Sequence, residues 1–329
     1  MASLTDITAT RMALTTIDAV ECCFPDRVVT VEERAVELEL NAAQTHMFRR
    51  VQGLDRMHYD PGVNLLDLLL PAARKVLDQA SAVRYLVFGQ AYHGVPSMAA
   101  TDTAEEIRRR LGLAHVTAFT LTEQNCAIPL TAIDVAGTLL RADGRPEAQA
   151  LIVTGDKPRL REAQLVGNTC MVADGAAACL VSLDGPGAVV RSFATAGFGE
   201  FSDGMLMPPK QRQASALARP GNLLGVMEEA ARRAGYTLDD MQIVIPTNPN
   251  TTYWTETVKD PVLRSKFFIG NVPRYSHCLG ADVFINYATL RDDKCLTADR
   301  PAMFVSIGLG MTFSAMVFMP SSAAEAVQP

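Results

Sequence analysis

The chain has 329 residues, of which 48% are hydrophobic and 20% are charged. This length and apolar content predict a globular protein with a large buried core, built as one large α/β domain or as two ordinary domains. The formal net charge of −6, with no cluster of Lys and Arg interleaved with aromatic residues, argues against a nucleic-acid-binding surface.

The N-terminal twenty residues contain no basic segment followed by a long apolar run, and no stretch reaches the roughly 20 apolar residues of a membrane-spanning helix. We therefore expect a cytoplasmic protein that does not act at a membrane. Its 7 cysteines form no C-x-x-C pair and no Cys/His spacing typical of zinc. This pattern argues against a disulfide framework and against a metal site.

Short apolar runs bounded by glycine or proline alternate along the chain with longer segments of helical periodicity. This is the pattern of an α/β protein with buried strands. In chain order, the predicted strands are residues 84–89, 150–156, 177–183, 242–246 and 302–308. The clearest helical segments are residues 64–80, 102–112 and 222–235, and a proline in the first of these predicts a break or a new first turn.

Two weak internal matches indicate a duplication. A shift of 158 positions aligns residues 72–90 with 230–248, and a shift of 152 aligns 150–156 with 302–308. Together they predict two copies of one α/β unit, residues 1–185 and 186–329. The second shift also carries Cys126 onto Cys278, so each of these cysteines would begin an equivalent central helix, and the two helix starts could converge on one pocket.

Cys126 stands at the start of "NCAIPLTAIDVAGTLL", which predicts a buried helix with Pro129 in its first turn. Unpaired backbone N–H groups and the helix dipole at such a position favour a thiolate, which is the nucleophilic form of cysteine. A packed, unreactive thiol is the alternative.

A nucleophilic cysteine needs a base and a group that orients the base. His277 and Asp282 can supply both if His277 lies in the turn before a helix and Asp282 lies one turn inside it. In one regular helix, positions five apart lie about 140° apart around the axis. An ordinary structural histidine is the alternative, although a carboxylate in an otherwise apolar helix normally needs a partner.

Two apolar segments meet across Gly308 and Gly310 in "SIGLGMTFSAMVF". Glycines permit close backbone approach and positive φ, so this turn could direct an N–H group at an oxyanion. A plain hairpin turn would have the same sequence.

These features in order resemble the thiolase superfamily, and within it the β-ketoacyl-ACP synthase III-like enzymes, over nearly the whole chain. "VADGAAACLVSL" is similar to the family's "GDGAGA" motif, "SIGLGMTFSAMVF" to its C-terminal glycine turn, and "FRRVQGLDRMHY" to its early "TGIxxR" segment. The resemblance implies an α/β fold of duplicated thiolase-like βαβαβαββ halves in five α-β-α-β-α layers. It also implies a homodimer that acts on thioesters of CoA or of an acyl carrier protein.

The sequence departs from the synthases at two positions. The segment that carries their catalytic His offers Thr247 and Asn248 here, and the segment that carries their catalytic Asn offers His277. The synthases use that pair to decarboxylate a malonyl thioester, so carbon–carbon bond formation by the usual route is in doubt. The pattern is similar instead to synthase III-like acyltransferases of secondary metabolism, whose Cys-His-Asp triad matches Cys126, His277 and Asp282.

The resemblance thus implies a ping-pong acyltransferase. Cys126, where the family keeps its acyl-accepting cysteine, would take the acyl group, with the oxyanion held by the N–H of Cys126 and one near Gly310. His277, oriented by Asp282, would deprotonate a small-molecule hydroxyl or amine acceptor, and no metal or redox cofactor is expected. Two alternatives stay open: a decarboxylative condensing enzyme with a rearranged site, and a non-catalytic partner subunit.

Other polar residues are further candidates, with loop or surface roles as the alternatives. His93, Thr247 and Asn248 could position a substrate. The methionines of residues 203–209 would suit an adaptable wall for an acyl chain. Three arginines could bind the phosphates of CoA or phosphopantetheine: Arg49, Arg50 and Arg56.

Overall fold

The computed structural model describes residues 12–92 and 102–321, within which strands and helices alternate as predicted. The strands are β1 Thr15–Cys23, β2 Val28–Thr30, β3 Arg56–His58, β4 Val83–Gly89, β5 Thr117–Leu121, β6 Gln149–Gly155, β7 Leu165–Val166, β8 Cys170–Met171, β9 Ala176–Leu183, β10 Ala188–Gly197, β11 Val244–Pro246, β12 Ala302–Gly308 and β13 Thr312–Met319. The helices are α1 Val31–Glu37, α2 Ala42–His46, α3 Leu65–Leu77, α4 Thr103–Arg110, α5 Ile128–Asp143, α6 Arg161–Gln164, α7 Pro209–Arg233, α8 Thr251–Thr257, α9 Pro261–Ser265, α10 Val272–Tyr275 and α11 Asp282–Asp292. Short 3₁₀ turns, Asn125–Ala127 and Leu279–Ala281, come immediately before α5 and α11.

The large sheet contains the same strand arrangement twice. In the first half the order is β5-β4-β6-β9-β1, in which β4 is parallel to both β5 and β6, whereas β9 is antiparallel to β6 and β1. The second half repeats it as β11-β12-β13-β10. In place of an outer strand equivalent to β5, it has a single parallel bridge between Val244 and Phe267. The predicted boundary after residue 185 lies in the turn between β9 and β10.

The helices complete a five-layer arrangement. Helices α3 and α4 pack on strands of the first half and α7 packs on β10 and β13, whereas α5 and α11 contact strands of both halves. The order is therefore α-β-α-β-α, and the thiolase-like α/β fold predicted from the sequence is confirmed. Because α5 and α11 share the middle layer, the 3₁₀ turns before them contact each other.

Local sequence explains the two central helices. Helix α5 has a proline in its first turn and ends at Gly144, whose φ of +73° is the left-handed conformation that closes many helices. Helix α11 buries nearly every residue from Asp282 to Leu290, as expected for an element enclosed by strands of both halves of the sheet. No helix in the described ranges is long and apolar enough to cross a membrane.

Two details differ from the expectations. Helix α3 continues through Pro71 instead of breaking there, and the residues on both sides of it, including Leu70 and Ala72, are buried against strands of the first half. The shift of 152 also misplaces the second central helix, because Cys126 lies inside its 3₁₀ turn whereas Cys278 precedes its own.

Candidate active site

Cys126 occupies the 3₁₀ turn before α5 and is 9% exposed. The second half of the chain holds this turn in place. The side-chain amide of Asn125 donates to the carbonyl of Leu309 at 2.9 Å, and the hydroxyl of Ser306 donates to the carbonyl of Cys126 at 2.5 Å. Asn125 itself has a φ of +47°, which is uncommon for a residue other than glycine. The thiol is therefore placed by backbone and side-chain contacts from β12 and the turn after it.

His277 lies just before the second 3₁₀ turn, as the sequence predicted for a residue that precedes the helix. Its carbonyl accepts a hydrogen bond from the N–H of Ala173 at 2.9 Å, and the hydroxyl of Ser276 donates to the carbonyl of Met171 at 2.6 Å. The Nε2 atom of His277 lies 3.4 Å from the Sγ atom of Cys126. The structure thus brings the predicted nucleophile and base into contact.

Asp282 completes the chain of three groups. It is the first residue of α11, whereas the sequence predicted a position one turn inside that helix. The 3₁₀ turn Leu279–Ala281 supplies the residues between His277 and the helix. Its Oδ2 atom lies 2.5 Å from Nδ1 of His277 and also accepts from the backbone N–H of Asn248 at 2.6 Å. Its Oδ1 atom accepts from the N–H of Cys278 at 2.7 Å. Three donors therefore hold the fully buried carboxylate in place. Their hydrogen bonds offset the cost of burying its negative charge.

A buried network of asparagines is linked to Asp282 through the backbone N–H of Asn248. Asn286, one turn further along α11, exchanges two amide hydrogen bonds with Asn248, at 2.8 and 3.2 Å. Asn286 also donates to the carbonyl of Pro246 at 2.7 Å and accepts from Asn271 at 2.9 Å. Sequence analysis missed Asn286, although an amide one turn after Asp282 in an apolar helix is a signal of the same kind.

The electrostatics of the pair favour a charged imidazole. Burial alone would lower the pKa of His277, but the carboxylate of Asp282, with the thiols of Cys170 and Cys126, raises the pKa of His277 well above its usual value. A positive charge therefore lies beside the sulfur of Cys126, which is the setting in which a cysteine acts as a nucleophile.

The glycine turn packs directly against the cysteine turn. A Cβ atom on Gly308 would lie 2.2 Å from the carbonyl oxygen of Gln124, so only glycine fits at this position. Gly310 has a φ of +80° and lines the same cavity as Cys126. The assignment of the Cys126 and Gly310 N–H groups to an oxyanion hole stays a prediction.

Two of the three groups, Cys126 and His277, open onto a cavity of about 910 Å³, and Asp282 lies buried behind them. Cys126 and His277 lie in its lining, together with Met205, Met207 and other mostly apolar side chains. The methionine-rich segment therefore forms part of the wall where an acyl chain was expected.

The remaining predicted positions lie elsewhere or act indirectly. Asn248 contacts Asp282 through its backbone, and Thr247 is fully buried beside it, with its carbonyl accepting from the indole N–H of Trp254 at 3.0 Å. Neither residue lines the cavity. His93 lies outside the described residues.

The structure does not bring the three predicted phosphate-binding arginines to Cys126. Arg49 and Arg50 line a separate, smaller cavity of about 430 Å³, and Arg49 is paired with Asp55 and with Glu32, the latter at 3.5 Å. Arg56 is exposed on β3.

Asp156 is a second buried carboxylate near the site that sequence analysis did not single out. It follows β6 and accepts from the backbone N–H groups of Ala91 and Tyr92, at 3.1 and 3.0 Å, which both line the cavity. Burial raises the pKa of Asp156 to about 7, against the opposing effect of these two donors and of His277.

Comparisons with known proteins give relatives of the fold. Residues 231–319, which include His277, Asp282 and Gly310, match the family model described as 3-oxoacyl-[acyl-carrier-protein (ACP)] synthase III C terminal. The solved structure of 3-oxoacyl-[acyl-carrier-protein] synthase III from Aquifex aeolicus VF5 is 16% identical, covers 93% of this chain and 99% of its own, and has a TM-score of 0.75. Residues 231–319 therefore match the synthase III family, and the chain as a whole shares the fold of the synthase III structures. The family model describes a synthase domain, and an enzyme of the acyltransferase type stays a prediction.

Two other structures share the synthase III fold. ChlB3, described as an acyltransferase, is 19% identical and covers 94% of this chain and 99% of its own, with a TM-score of 0.81. The priming β-ketosynthase from the R1128 polyketide biosynthetic pathway is 16% identical and covers 94% of this chain and 97% of its own, with a TM-score of 0.75. The curated protein sequences gave no significant match. At these identities the structural likeness shows the fold, and the reaction must be argued from the site.

Proposed function

We propose that this synthase III-like protein is an acyltransferase of a secondary-metabolite pathway. It moves an acyl group from a CoA or acyl-carrier-protein thioester, through an acyl-Cys126 intermediate, to a hydroxyl or amine acceptor. The observation that carries the proposal is the continuous chain of contacts from Cys126 Sγ through His277 to Asp282, at 3.4 and 2.5 Å, beside a cavity large enough for substrates.

In the first half-reaction, the Cys126 sulfur attacks the thioester carbonyl and a tetrahedral oxyanion forms. The carbon–sulfur bond to the donor then breaks, and the protonated His277 gives its proton to the departing thiolate. The products are acyl-Cys126, a free CoA or carrier thiol, and a neutral imidazole. Asp282 holds Nδ1–H of that imidazole, so Nε2 is left free as a base.

In the second half-reaction, Nε2 of His277 removes the proton of the acceptor as the acceptor oxygen or nitrogen attacks the acyl carbonyl. The bond to Cys126 breaks, and an ester or amide leaves with the charged imidazole restored beside the thiolate. Cysteine, imidazole and carboxylate complete both steps, so the proposal includes no metal or redox cofactor. A cytoplasmic homodimer remains our expectation for the assembled enzyme.

A decarboxylative condensing enzyme is the main alternative, because structural neighbours include ketosynthases. The described part of the cavity lining contains one histidine, His277, and its Nδ1 is already committed to Asp282. The synthase position for a second histidine holds the buried Thr247 instead. This arrangement favours acyl transfer over decarboxylation.

A test should follow both half-reactions. Wild-type protein is incubated with acetyl-, butyryl- and malonyl-CoA and with the same acyl groups on a carrier protein, and released thiol, released carbon dioxide and products with added alcohols and amines are measured. The proposal expects thiol release followed by ester or amide formation, without carbon dioxide. Carbon dioxide from the malonyl thioester with a new carbon–carbon bond would establish the condensing enzyme instead, and no turnover with any donor would favour a partner subunit.

A further inference from the structure

Arg219 is an arginine in the cavity wall whose charge lacks an acidic partner. It lies on α7, is half-buried, and lines the cavity that contains Cys126. Within residues 12–92 and 102–321, Arg219 makes no ion pair and no hydrogen bond. On the same helix, Arg232 and Arg233 both pair with Glu229, at 2.8 and 2.7 Å. Arg212, on the same helix and also in the cavity lining, donates to the carbonyl of Met207 instead of to a carboxylate.

The guanidinium of Arg219 lies over an aromatic ring. Its Cζ atom lies 4.8 Å from the centre of the Tyr253 ring, and Tyr253 lines the same cavity. Stacking on an aromatic face restrains the planar group and leaves its N–H donors at the edge free for a ligand. A restrained, partly desolvated guanidinium gains more from an anion than a mobile exposed one.

The cavity as a whole favours a negatively charged group. Besides the imidazole of His277, which is paired with Asp282, the charged side chains in its described lining are Arg212, Arg219 and Glu162. Arg212 is exposed and donates to the carbonyl of Met207 at 3.0 Å, and Glu162 is exposed on α6. Arg219 is thus a half-buried cation without an acidic partner in a mostly apolar wall. Burial of an unpaired cation costs free energy, and binding of an anion would offset that cost.

We propose that Arg219, held against Tyr253, binds a carboxylate that a substrate carries into the cavity, either on the acyl group or on the acceptor. This inference rests on the proposed acyltransferase function and adds the substrate class to it. A carboxylate matches the guanidinium because its two oxygens accept two parallel N–H bonds.

Probes without phosphate separate this contact from any contact with CoA. Single-turnover loading is measured with malonyl- and acetoacetyl-N-acetylcysteamine thioesters, which differ mainly in a carboxylate against a methyl ketone. In the acceptor arm, protein preloaded with a butyryl group is discharged by β-alanine or by β-alaninamide, which differ in a carboxylate against an amide. Each rate is compared among wild type, Arg219→Gln, Arg219→Lys and the control Arg232→Gln.

The proposal expects the wild type to prefer the carboxylate member in one arm, and Arg219→Gln to reduce that preference by about tenfold or more. Arg219→Lys should retain part of it, and Arg232→Gln all of it. A reduced preference in the malonyl arm places the carboxylate on the acyl group, and one in the β-alanine arm places it on the acceptor.

Unchanged preferences in Arg219→Gln, with normal butyryl loading on Cys126, would overturn the carboxylate subsite and leave the acyltransferase proposal standing. Failure of every thioester to load Cys126 in the wild type would overturn the proposed function and this inference with it.

Discussion

Cys126 and His277 are separated by 151 residues in the chain, yet Sγ and Nε2 lie 3.4 Å apart. The duplicated fold produces this contact, because it places the starts of the two central helices against each other. Each half contributes one part of the site, and neither half contains both the thiol and the base.

Asp282→Asn should fold but lose most of its acyl-transfer rate. The amide that replaces the carboxylate cannot accept from His277, Asn248 and Cys278 at once, so the imidazole loses its fixed tautomer and its charge partner. We expect the discharge rate of the acyl-enzyme to fall by about 10²–10⁴-fold, measured in single-turnover experiments. Asp292→Asn, which changes an exposed carboxylate at the end of the same helix, is the control. An unchanged rate in Asp282→Asn would remove this residue from the mechanism.

Asn286→Ala should destabilise the fold as well as the site. The substitution removes buried hydrogen bonds to the side chains of Asn248 and Asn271 and to the carbonyl of Pro246, and Asn271 keeps its bond to Thr289. We expect the free energy of unfolding to fall by about 2–4 kcal/mol in urea denaturation, because each buried unsatisfied group costs about 1–3 kcal/mol. Asn222→Ala, on the half-buried surface of α7, should change it by less than about 0.5 kcal/mol. Equal effects of the two substitutions would show that the network contributes little.

Gly308→Ala and Gly225→Ala should have opposite effects on stability. A methyl group on Gly308 would collide with the carbonyl of Gln124 and displace the turn that carries Cys126, so both thermal stability and acyl loading should drop. Gly225 lies in the interior of α7 with nothing within 4 Å of an added Cβ, so alanine there should raise the free energy of unfolding by about 0.5–1 kcal/mol. Normal loading of Cys126 in Gly308→Ala would contradict the close packing described for the two turns.

The carboxyl of Asp156 should make stability depend on pH. Its pKa is raised to about 7 in the folded protein, against about 3.9 for an exposed aspartate. Between these values the folded state holds a proton that the unfolded state has lost, so this group makes stability fall as pH rises and adds no further change above pH 7. The difference in unfolding free energy between wild type and Asp156→Asn should therefore vary between about pH 4 and 7 and level off above. A difference that stays constant over that range would show that Asp156 is ionised throughout.

The triad was predictable from the sequence because each member stands out chemically. The segments that contain the triad are otherwise apolar and typical of a buried core. A cysteine at the start of such a helix is unusual there, and so is a histidine followed five positions later by an aspartate. The fold was predictable from the strand pattern, the two internal matches and the resemblance to the synthases. The shifts of 158 and 152 positions correctly paired the equivalent strands of the two halves, β4 with β11 and β6 with β12.

Contacts that depend on folding were not predictable in the same way. Asn286 and Ser306 act through partners 38 and 180 residues away, and nothing in their local sequence names those partners. Arg49 and Arg50 were predicted as phosphate contacts because of their charge, and their place on a cavity separate from that of Cys126 could not be read from the sequence. The position of Arg219 over Tyr253 was not predictable from the sequence, because it depends on the packing of α7 against α8.

Intact-protein mass spectrometry can show directly whether Cys126 carries the acyl group. Wild type and Cys126→Ala are incubated with a panel of acyl-CoA and acyl-carrier-protein thioesters and then weighed. We predict an adduct of the full acyl mass on wild type, absent from Cys126→Ala and discharged when an acceptor is added. An adduct that persists in Cys126→Ala, or no adduct with any donor, would contradict the account.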